Sequence, residues 1–237
     1  MPFVILPTNS ASGGYDVTNS LRFNRGSSDS LTRTPASAGN RKTFTFSCWF
    51  KLSNIASSVS GYYQIFGGYT GTVNDGIWIS DADKFYVYFG GAERRITNQV
   101  IRDVSAWYHL IFAVDTTQAT ASDRIKLYLN GSEITSFSTN TNPSLNYDSG
   151  VNNNTLQNIG KRISDDYFNG YLSDVYLIDG QQLTPSSFGE TDEDTGIWKP
   201  KAFSGSYGTN GFYLQFKNSA SLGTDSSGNG NTFTVNN

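Results

Sequence analysis

Apolar and polar residues alternate with a period of two along the longer runs of this chain, most cleanly from Thr43 to Lys51. There Phe44, Phe46, Cys48 and Phe50 fall on one face, and Thr45, Ser47, Trp49 and Lys51 on the other, which predicts a strand with one apolar and one mixed side. The run from Trp107 to Asp115 is apolar on both faces. Tyr108, Leu110, Phe112 and Val114 share one side while Trp107, His109, Ile111 and Ala113 share the other, so a central strand between two covered surfaces is predicted, with Trp107 and His109 in the core. Ile125 to Leu129 predicts a neighbouring strand closed by Asn130-Gly131, the pair best suited to the positive φ angles of a tight hairpin turn.

Further strands are predicted at Ser20 to Phe23, Tyr63 to Phe66, Ile77 to Ser80, Phe85 to Phe89, Thr155 to Ile159, Gly170 to Ile178, Gly211 to Phe216 and Thr232 to Val235. Pairing Ser80 with Lys84 sets Trp78 across from Tyr86, with Tyr88 on the same side of the sheet. The segment LTPSSFGE reads as the only helix, a single turn capped by Thr184, begun by Pro185 and left at Gly189. Short strands between frequent turns predict an all-β, two-sheet antiparallel sandwich. One domain over residues 20–237 is expected, with residues 1–19 as an N-terminal arm.

Composition narrows this picture. Aromatic residues make up 14% of the chain and Gly numbers 24, so the core should rest on Phe, Tyr and Trp between many turns. A net charge of -3 and scattered Lys and Arg residues argue against nucleic acid as a partner. Cys48 stands alone, which excludes an intrachain disulfide and suits a buried thiol. The Phe3 to Leu6 run lacks a basic flank and stops at Pro7, so it is not expected to be a signal peptide; it suits docking on a neighbour better than the core of this domain. No apolar run approaches the roughly 20 residues of a membrane span, and a soluble chain made in the cytosol is expected.

The segments SLRFNRGSSDSL, FTFSCWFK, WYHLIFAVD, IKLYLNG, LQNIG and FNGYLSDVYLIDGQQLTPSSF, in this order from Ser20 to Phe188, together resemble the concanavalin A-like lectin/glucanase superfamily, and within it the laminin G-like and pentraxin-like jelly rolls. The resemblance implies a two-sheet jelly-roll sandwich. One departure concerns FYLQFKNSASLGTDSSGNGNTFTV, which resembles the usual start of these domains yet lies at the end. Two readings stay open. Either the domain is circularly permuted, with residues 205–237 supplying the closing strands and Phe212 to Phe216 lying beside Gly170 to Ile178, or a second domain begins here and is cut short. The opening MPFVILPTNSASGGYDVTNSLRFN and the segment DTGIWKPKAFSGSYGTNGFYLQF resemble those of virion-associated proteins of marine bacteriophages. That implies a place on the surface of a particle, in a capsid or tail, as a homo-oligomer or part of a larger assembly with other virion proteins as partners.

Retaining glucanases of this superfamily carry an ExDxxE pattern whose carboxylates stand roughly 5 Å apart. The nearest match, Glu190-Thr191-Asp192-Glu193-Asp194, continues with Thr195 where the second Glu is needed, and reads as a surface acidic loop; no catalytic residue is expected. His109 has no nucleophile-elbow Ser or Cys beside it and reads as a satisfied structural histidine. The resemblance also implies calcium held by loop oxygens. Asp29 in NRGSSDS, and Asp225 with Asn229 in DSSGNGN, are the candidates, against an ordinary Asx-turn reading; Asp165 and Asp166 are a third. For carbohydrate, Trp78, Tyr86 and Tyr88 would form an aromatic platform if their face is open, with Arg94 or Arg95 beside it for an acidic group. Packing against another sheet or subunit is the competing reading for these aromatic residues. Tyr62, Tyr63, Tyr69, Tyr147 and Tyr167 are further contact candidates. The expected function is a non-enzymatic, lectin-like phage virion module binding carbohydrate on a host surface or neighbouring virion proteins. A purely structural decoration or assembly subunit is the alternative, and glycoside hydrolysis ranks last.

Overall fold

Strands with one apolar face must pair it with another, and the chain does so twice over. The computed structural model describes residues 15–162 and 166–237, so the Phe3 to Leu6 run and Asp165 lie outside the described residues. The strands are β1 (Leu21–Phe23), β2 (Ser30–Arg33), β3 (Thr43–Leu52), β4 (Tyr63–Tyr69), β5 (Asn74–Ile79), β6 (Lys84–Phe89), β7 (Ala92–Val100), β8 (Tyr108–Asp115), β9 (Ile125–Leu129), β10 (Ser132–Glu133), β11 (Phe137–Asn140), β12 (Gln157–Ile159), β13 (Gly170–Asp179), β14 (Gly189–Thr191), β15 (Trp198–Pro200), β16 (Phe212–Leu214) and β17 (Thr234–Asn236). A seven-stranded sheet runs β1-β13-β3-β8-β9-β10, with β16 also on β13, and an eight-stranded sheet runs β11-β7-β6-β5-β4-β12-β2-β17. Every pairing in both sheets is antiparallel.

The main core lies between the sheets. Phe44, Phe46, Cys48 and Phe50 of β3 and Leu110, Phe112 and Val114 of β8 meet Phe66, Ile77, Phe85, Val87 and Phe89 of the other sheet. Phe46 stacks flat on Phe66 with centroids 4.4 Å apart, and Phe89 meets Phe112 edge-on at 6.2 Å. Burial of Cys48 in this layer pushes its thiol pKa well up, leaving it unreactive.

The second face of β8 is covered as well. Ile111 and Ala113 pack with Tyr176, Ile178, Phe188 and Tyr213 in a separate cluster, roofed by Leu183, Phe203 and Tyr207. The chain from β13 to β16 therefore folds back as a third layer over the seven-stranded sheet, carrying the β14–β15 hairpin. Such double coverage explains why WYHLIFAVD is apolar throughout.

The closing residues join these same sheets. Val175, Tyr176 and Leu177 of β13 pair with Leu214, Tyr213 and Phe212 of β16, while Leu172, Tyr171 and Gly170 pair with β1. Because β3 takes the other edge of β13, β1 and β16 lie end to end along one edge. Between them β13 bulges, and Asp174 there takes φ 45°. Phe212, Leu214, Phe216 and Phe233 belong to the main core.

Several expectations need correction. Trp107 precedes β8 and is 39% exposed, so it is not a core residue. LTPSSFGE holds only a 3-10 turn, Pro185–Ser187, and it is not the sole helical element: Arg25–Ser27, Ala56–Ser58 and Ala121–Asp123 are others. The Thr184 hydroxyl meets that of Ser186 rather than capping the turn, and Gly189 opens β14. The acidic run starting at Glu190 is partly strand, not wholly loop. Strands β2, β7, β10, β11, β14 and β15 lie outside the expected set. For β7 the reason is clear: its inward positions are Arg95 and Thr97, so the hydropathy pattern is inverted.

Candidate functional site

The outward face of the eight-stranded sheet carries the residues singled out for carbohydrate. Alternation decides which ones. Ile77 and Ile79 face the core, so Trp78 faces out; Phe85, Val87 and Phe89 face in, so Tyr86 and Tyr88 face out. The predicted register holds, with Trp78 opposite Tyr86 and the Ser80 N–H donating to the Lys84 carbonyl at 2.9 Å.

The register builds two cross-strand rows. One runs Gln64, Trp78, Tyr86, Ile96; the other runs Thr32, Asn158, Gly67, Gly76, Tyr88, Glu93. Gly67 and Gly76 face each other, and their lack of side chains leaves a trough that the Gln64 amide fills. A Cβ on Gly67 would come within 2.2 Å of Gln64 Nε2, and one on Gly76 within 3.2 Å of the same atom. Asn74 Nδ2 donates to Gln64 Oε1 at 3.0 Å.

Around this trough polar atoms are buried without partners. Gln64 Nε2, Asn74 Oδ1, Trp78 Nε1 and both side-chain polar atoms of Asn158 make no hydrogen bond among the described residues. The four residues are 0%, 6%, 2% and 1% exposed, respectively. An unpaired buried group of this kind costs about 1–3 kcal/mol, and native proteins keep few of them without a reason.

Trp78 is thus not an open platform, which corrects the first reading. Its indole stacks on Tyr86 at 5.2 Å and near Tyr88 at 6.2 Å, and the Arg162 guanidinium lies over it at 5.2 Å and over Tyr62 at 5.5 Å. Tyr62, Tyr86 and Tyr88 are half-buried and form the accessible aromatic rim. Burial and the Glu93 carboxylate push the Tyr86 phenol up, so it stays a neutral donor. The Tyr88 hydroxyl donates to the Gly91 carbonyl at 2.8 Å.

Arg94 does not join the patch. Its guanidinium donates to the carbonyls of Phe89, Gly90 and Asn142, clamping the turn after β6. Arg95 is buried, donates to the Ile125 carbonyl and the Asn142 amide oxygen, and is pushed down to about 10 by burial. Neither is placed to meet an acidic sugar. Arg162, absent from the expected set, is the cation at the patch, held by Asp166 at 3.3 Å. Gln64, Asn74 and Asn158 were also missed, although polar amides inside the apolar runs YYQIF and LQNIG are a visible signal.

The calcium candidates do not come together, and the residues do not fit the ion. Asp225 accepts from the backbone N–H groups of Tyr213, Ser227 and Asn231 and from the Ser227 hydroxyl, so N–H and O–H donors already occupy its oxygens. Asn229 turns its amide nitrogen to the carbonyls of Gly208 and Gly211. Asp29 accepts from the Asn24 N–H in a separate turn. Among the described residues no group of three or more His, Cys, Asp or Glu could hold a metal ion. This is Asx-turn chemistry.

The remaining candidates are structural. Glu190 and Asp192 pair with Lys199 at 3.4 and 3.2 Å, and hydrogen bonds from Thr195 hold the Asp192 carboxyl down at about 2. Asp75, not singled out in the sequence, accepts from the Gly90 and Gly150 N–H groups and the Tyr147 hydroxyl, tying two loops to the end of the sheet. Among the described residues no helix is long and apolar enough to cross a membrane.

Comparison with known proteins gives one family. The laminin G-like model described as the concanavalin A-like lectin/glucanases superfamily matches residues 25–187. No curated protein matches the chain. Similar solved structures include a Trypanosoma rangeli sialidase in complex with a difluoro sugar acid (TM-score 0.45, 14% identity), where 62% of this chain covers 22% of that one. The chain thus spans under a quarter of the sialidase length. A heptameric SAP-like pentraxin from Limulus polyphemus matches with TM-score 0.45 and 14% identity, over 66% of this chain and 71% of that one. Domain 4 of an extracellular arabinanase from Geobacillus stearothermophilus, solved with arabinotriose, matches with TM-score 0.46 and 20% identity, over 70% and 69%.

Proposed function

Starting from a chain that belongs to the concanavalin A-like lectin/glucanases superfamily, we propose that it is a non-enzymatic binding module whose eight-stranded face takes a carbohydrate. One observation carries this reading: the unpaired Gln64 Nε2, Asn74 Oδ1 and Asn158 amide and the unpaired indole N–H of Trp78 lie beside the rings of Tyr62, Tyr86 and Tyr88. Sugars present hydroxyls that donate and accept, and apolar C–H faces that stack on rings. A hydroxyl reaching a buried, unpaired amide gains more than one meeting an amide already solvated, because the amide's desolvation is already complete. The non-enzymatic part is supported by Glu190 and Asp192, which neutralise Lys199 instead of flanking a cleft.

The segments that resemble virion-associated proteins extend the proposal to the surface of a phage particle, where the ligand would be host carbohydrate. Mass spectrometry of purified particles checks that part by itself. For the binding function, a glycan array probed with purified protein is expected to show saturable binding that survives chelation of calcium. Tyr88→Ala should weaken it about tenfold while leaving the fold intact. No binding to any glycan at high protein concentration would remove the proposal.

A further inference from the structure

The seven-stranded sheet carries a second aromatic surface, facing the opposite way. Its register sets His109 of β8 beside Trp49 of β3, and Trp49 beside Ser173 of β13. All three alternate with core residues and so point away from the main core. The His109 and Trp49 rings stack face to face, centroids 4.9 Å apart at 16°, and Trp198 lies edge to edge with His109, nearly coplanar at 18°, its indole N–H donating to Nδ1. The next place in this row belongs to Ser173, whose side chain is too small to continue it. Beyond Ser173 passes the segment Val17 to Ser20, held by the Ser173 hydroxyl donating to the Asn19 carbonyl. What remains is a cavity of about 300 Å³ bounded by that segment, Ser173, Trp49, Trp107 and Pro200.

We propose that this cavity is a second carbohydrate subsite that takes one uncharged sugar ring, laid against Trp49 as the next member of the stack. Size, surface and charge each narrow the occupant. The volume sits at the lower end for small-molecule sites, enough for a single ring of a longer chain. The wall is an indole face whose orientation is fixed from behind by His109, itself hydrogen-bonded to Ser47 at 2.8 Å and to Trp198 at 3.0 Å. A platform fixed in advance loses little freedom on binding. None of the lining residues carries a charge, so neither carboxylate nor phosphate is recognised there. The polar residues Thr18, Asn19 and Ser20 border the cavity, the Asn19 amide donating to the Thr18 hydroxyl at 2.8 Å, and an aliphatic occupant would bury them against carbon. Trp107, exposed at the rim, is where a neighbouring ring of the same glycan would rest.

This site is independent of the eight-stranded face, and one experiment separates the two. The chain has 4 Trp residues, so protein labelled with 5-fluorotryptophan gives a small set of fluorine resonances, assignable by single Trp→Phe variants. The probes are linear tetrasaccharides of glucose, galactose, mannose, xylose and arabinose at millimolar concentration. Saturable movement of the Trp49 and Trp107 resonances by at least one of them is expected. Trp107→Ala should weaken the Trp49 response about tenfold and leave any Trp78 response unchanged. Movement of Trp78 alone overturns this inference and supports the first site. Movement of Trp49 and Trp107 alone does the reverse. If these two resonances follow protein concentration rather than saccharide, the cavity seats a second copy of the chain and the inference is overturned.

Discussion

His109 makes two hydrogen bonds of opposite sense: Nδ1 accepts from the Trp198 indole N–H, so Nε2 carries the proton and donates to the Ser47 hydroxyl. Burial lowers its pKa to about 3, against roughly 6.5 in an unfolded chain. A second proton would set N–H against N–H at Trp198. Between these values the unfolded chain binds the proton and the folded chain does not, so stability is full above pH 6.5 and falls as the pH drops. The loss attributable to this group is about 1.4 kcal/mol per pH unit. Urea denaturation from neutral pH to pH 4.5 checks it, with His109→Gln losing that part of the slope. Asn158 gives the opposite kind of test. Both its side-chain polar atoms are buried and unpaired, so Asn158→Leu, similar in size, should raise stability by about 1–3 kcal/mol. The same change should weaken glycan binding at the eight-stranded face. A variant that is less stable would show that the amide serves the fold. In the sequence His109 was legible as structural because it lacked chemical partners, whereas Trp107 was misread: period-two alternation cannot tell where coverage of a strand stops.

At the scale of elements, the β14–β15 hairpin acts through one side chain. Trp198 lies flat over two glycines, so that a Cβ on Gly131 would come within 2.5 Å of its ring and one on Gly189 within 2.3 Å. Gly189→Ala should therefore shift the indole, break its bond to His109 and cost about 1–3 kcal/mol. The His109 resonance would then titrate at a higher pH, a readout that plain loss of stability does not move. The hairpin's acidic run Glu190 to Asp194 reads in the sequence as a loop because its outward residues are charged and the hairpin's one inward aromatic, Trp198, is only half-buried. Strand β7 was hidden for a related reason, since Arg95 sits on its inward face and spends its donors on carbonyls. By contrast, β3, β8 and the β5–β6 pair are plain in the sequence, because their inward positions are aromatic or branched apart from Cys48 and Asp75. The trough between β4 and β5 was only half visible. Gly67 and Gly76 fall between the predicted strands Tyr63 to Phe66 and Ile77 to Ser80, and their role in making room for Gln64 depends on a register that no local pattern records.

Across the whole molecule, the closing strands and the opening ones share a core. Phe233 is 3% exposed and meets Phe212 at 4.8 Å, while Phe212 meets Phe66 of the opposite sheet at 6.4 Å. Phe233→Ala should cost about 3–5 kcal/mol and shift one cooperative transition. Two transitions in thermal unfolding, only one of them moved, would show that the end of the chain folds apart. The two-sheet jelly roll was legible because many short alternating runs each mark a strand. The binding face was legible only as a row of aromatic side chains, since its polar half comes from β4, β5 and β12, which are distant in sequence.

The end-to-end placement of β1 and β16 along β13 also sets an order of events in time. As the chain is synthesised, β3, β8 and β13 can pair, yet half of one edge of β13 stays bare until Phe212 to Leu214 emerges. Thr234 of β17 must then find Thr32 of β2, a partner made some two hundred residues earlier. At about 5–20 residues per second, the apolar interior waits seconds for its last pieces. So distant a pairing is slow to find, and an unpaired edge invites another chain. The rate at which this domain completes itself, and its tendency to aggregate when made quickly, are thus governed by residues 205–237.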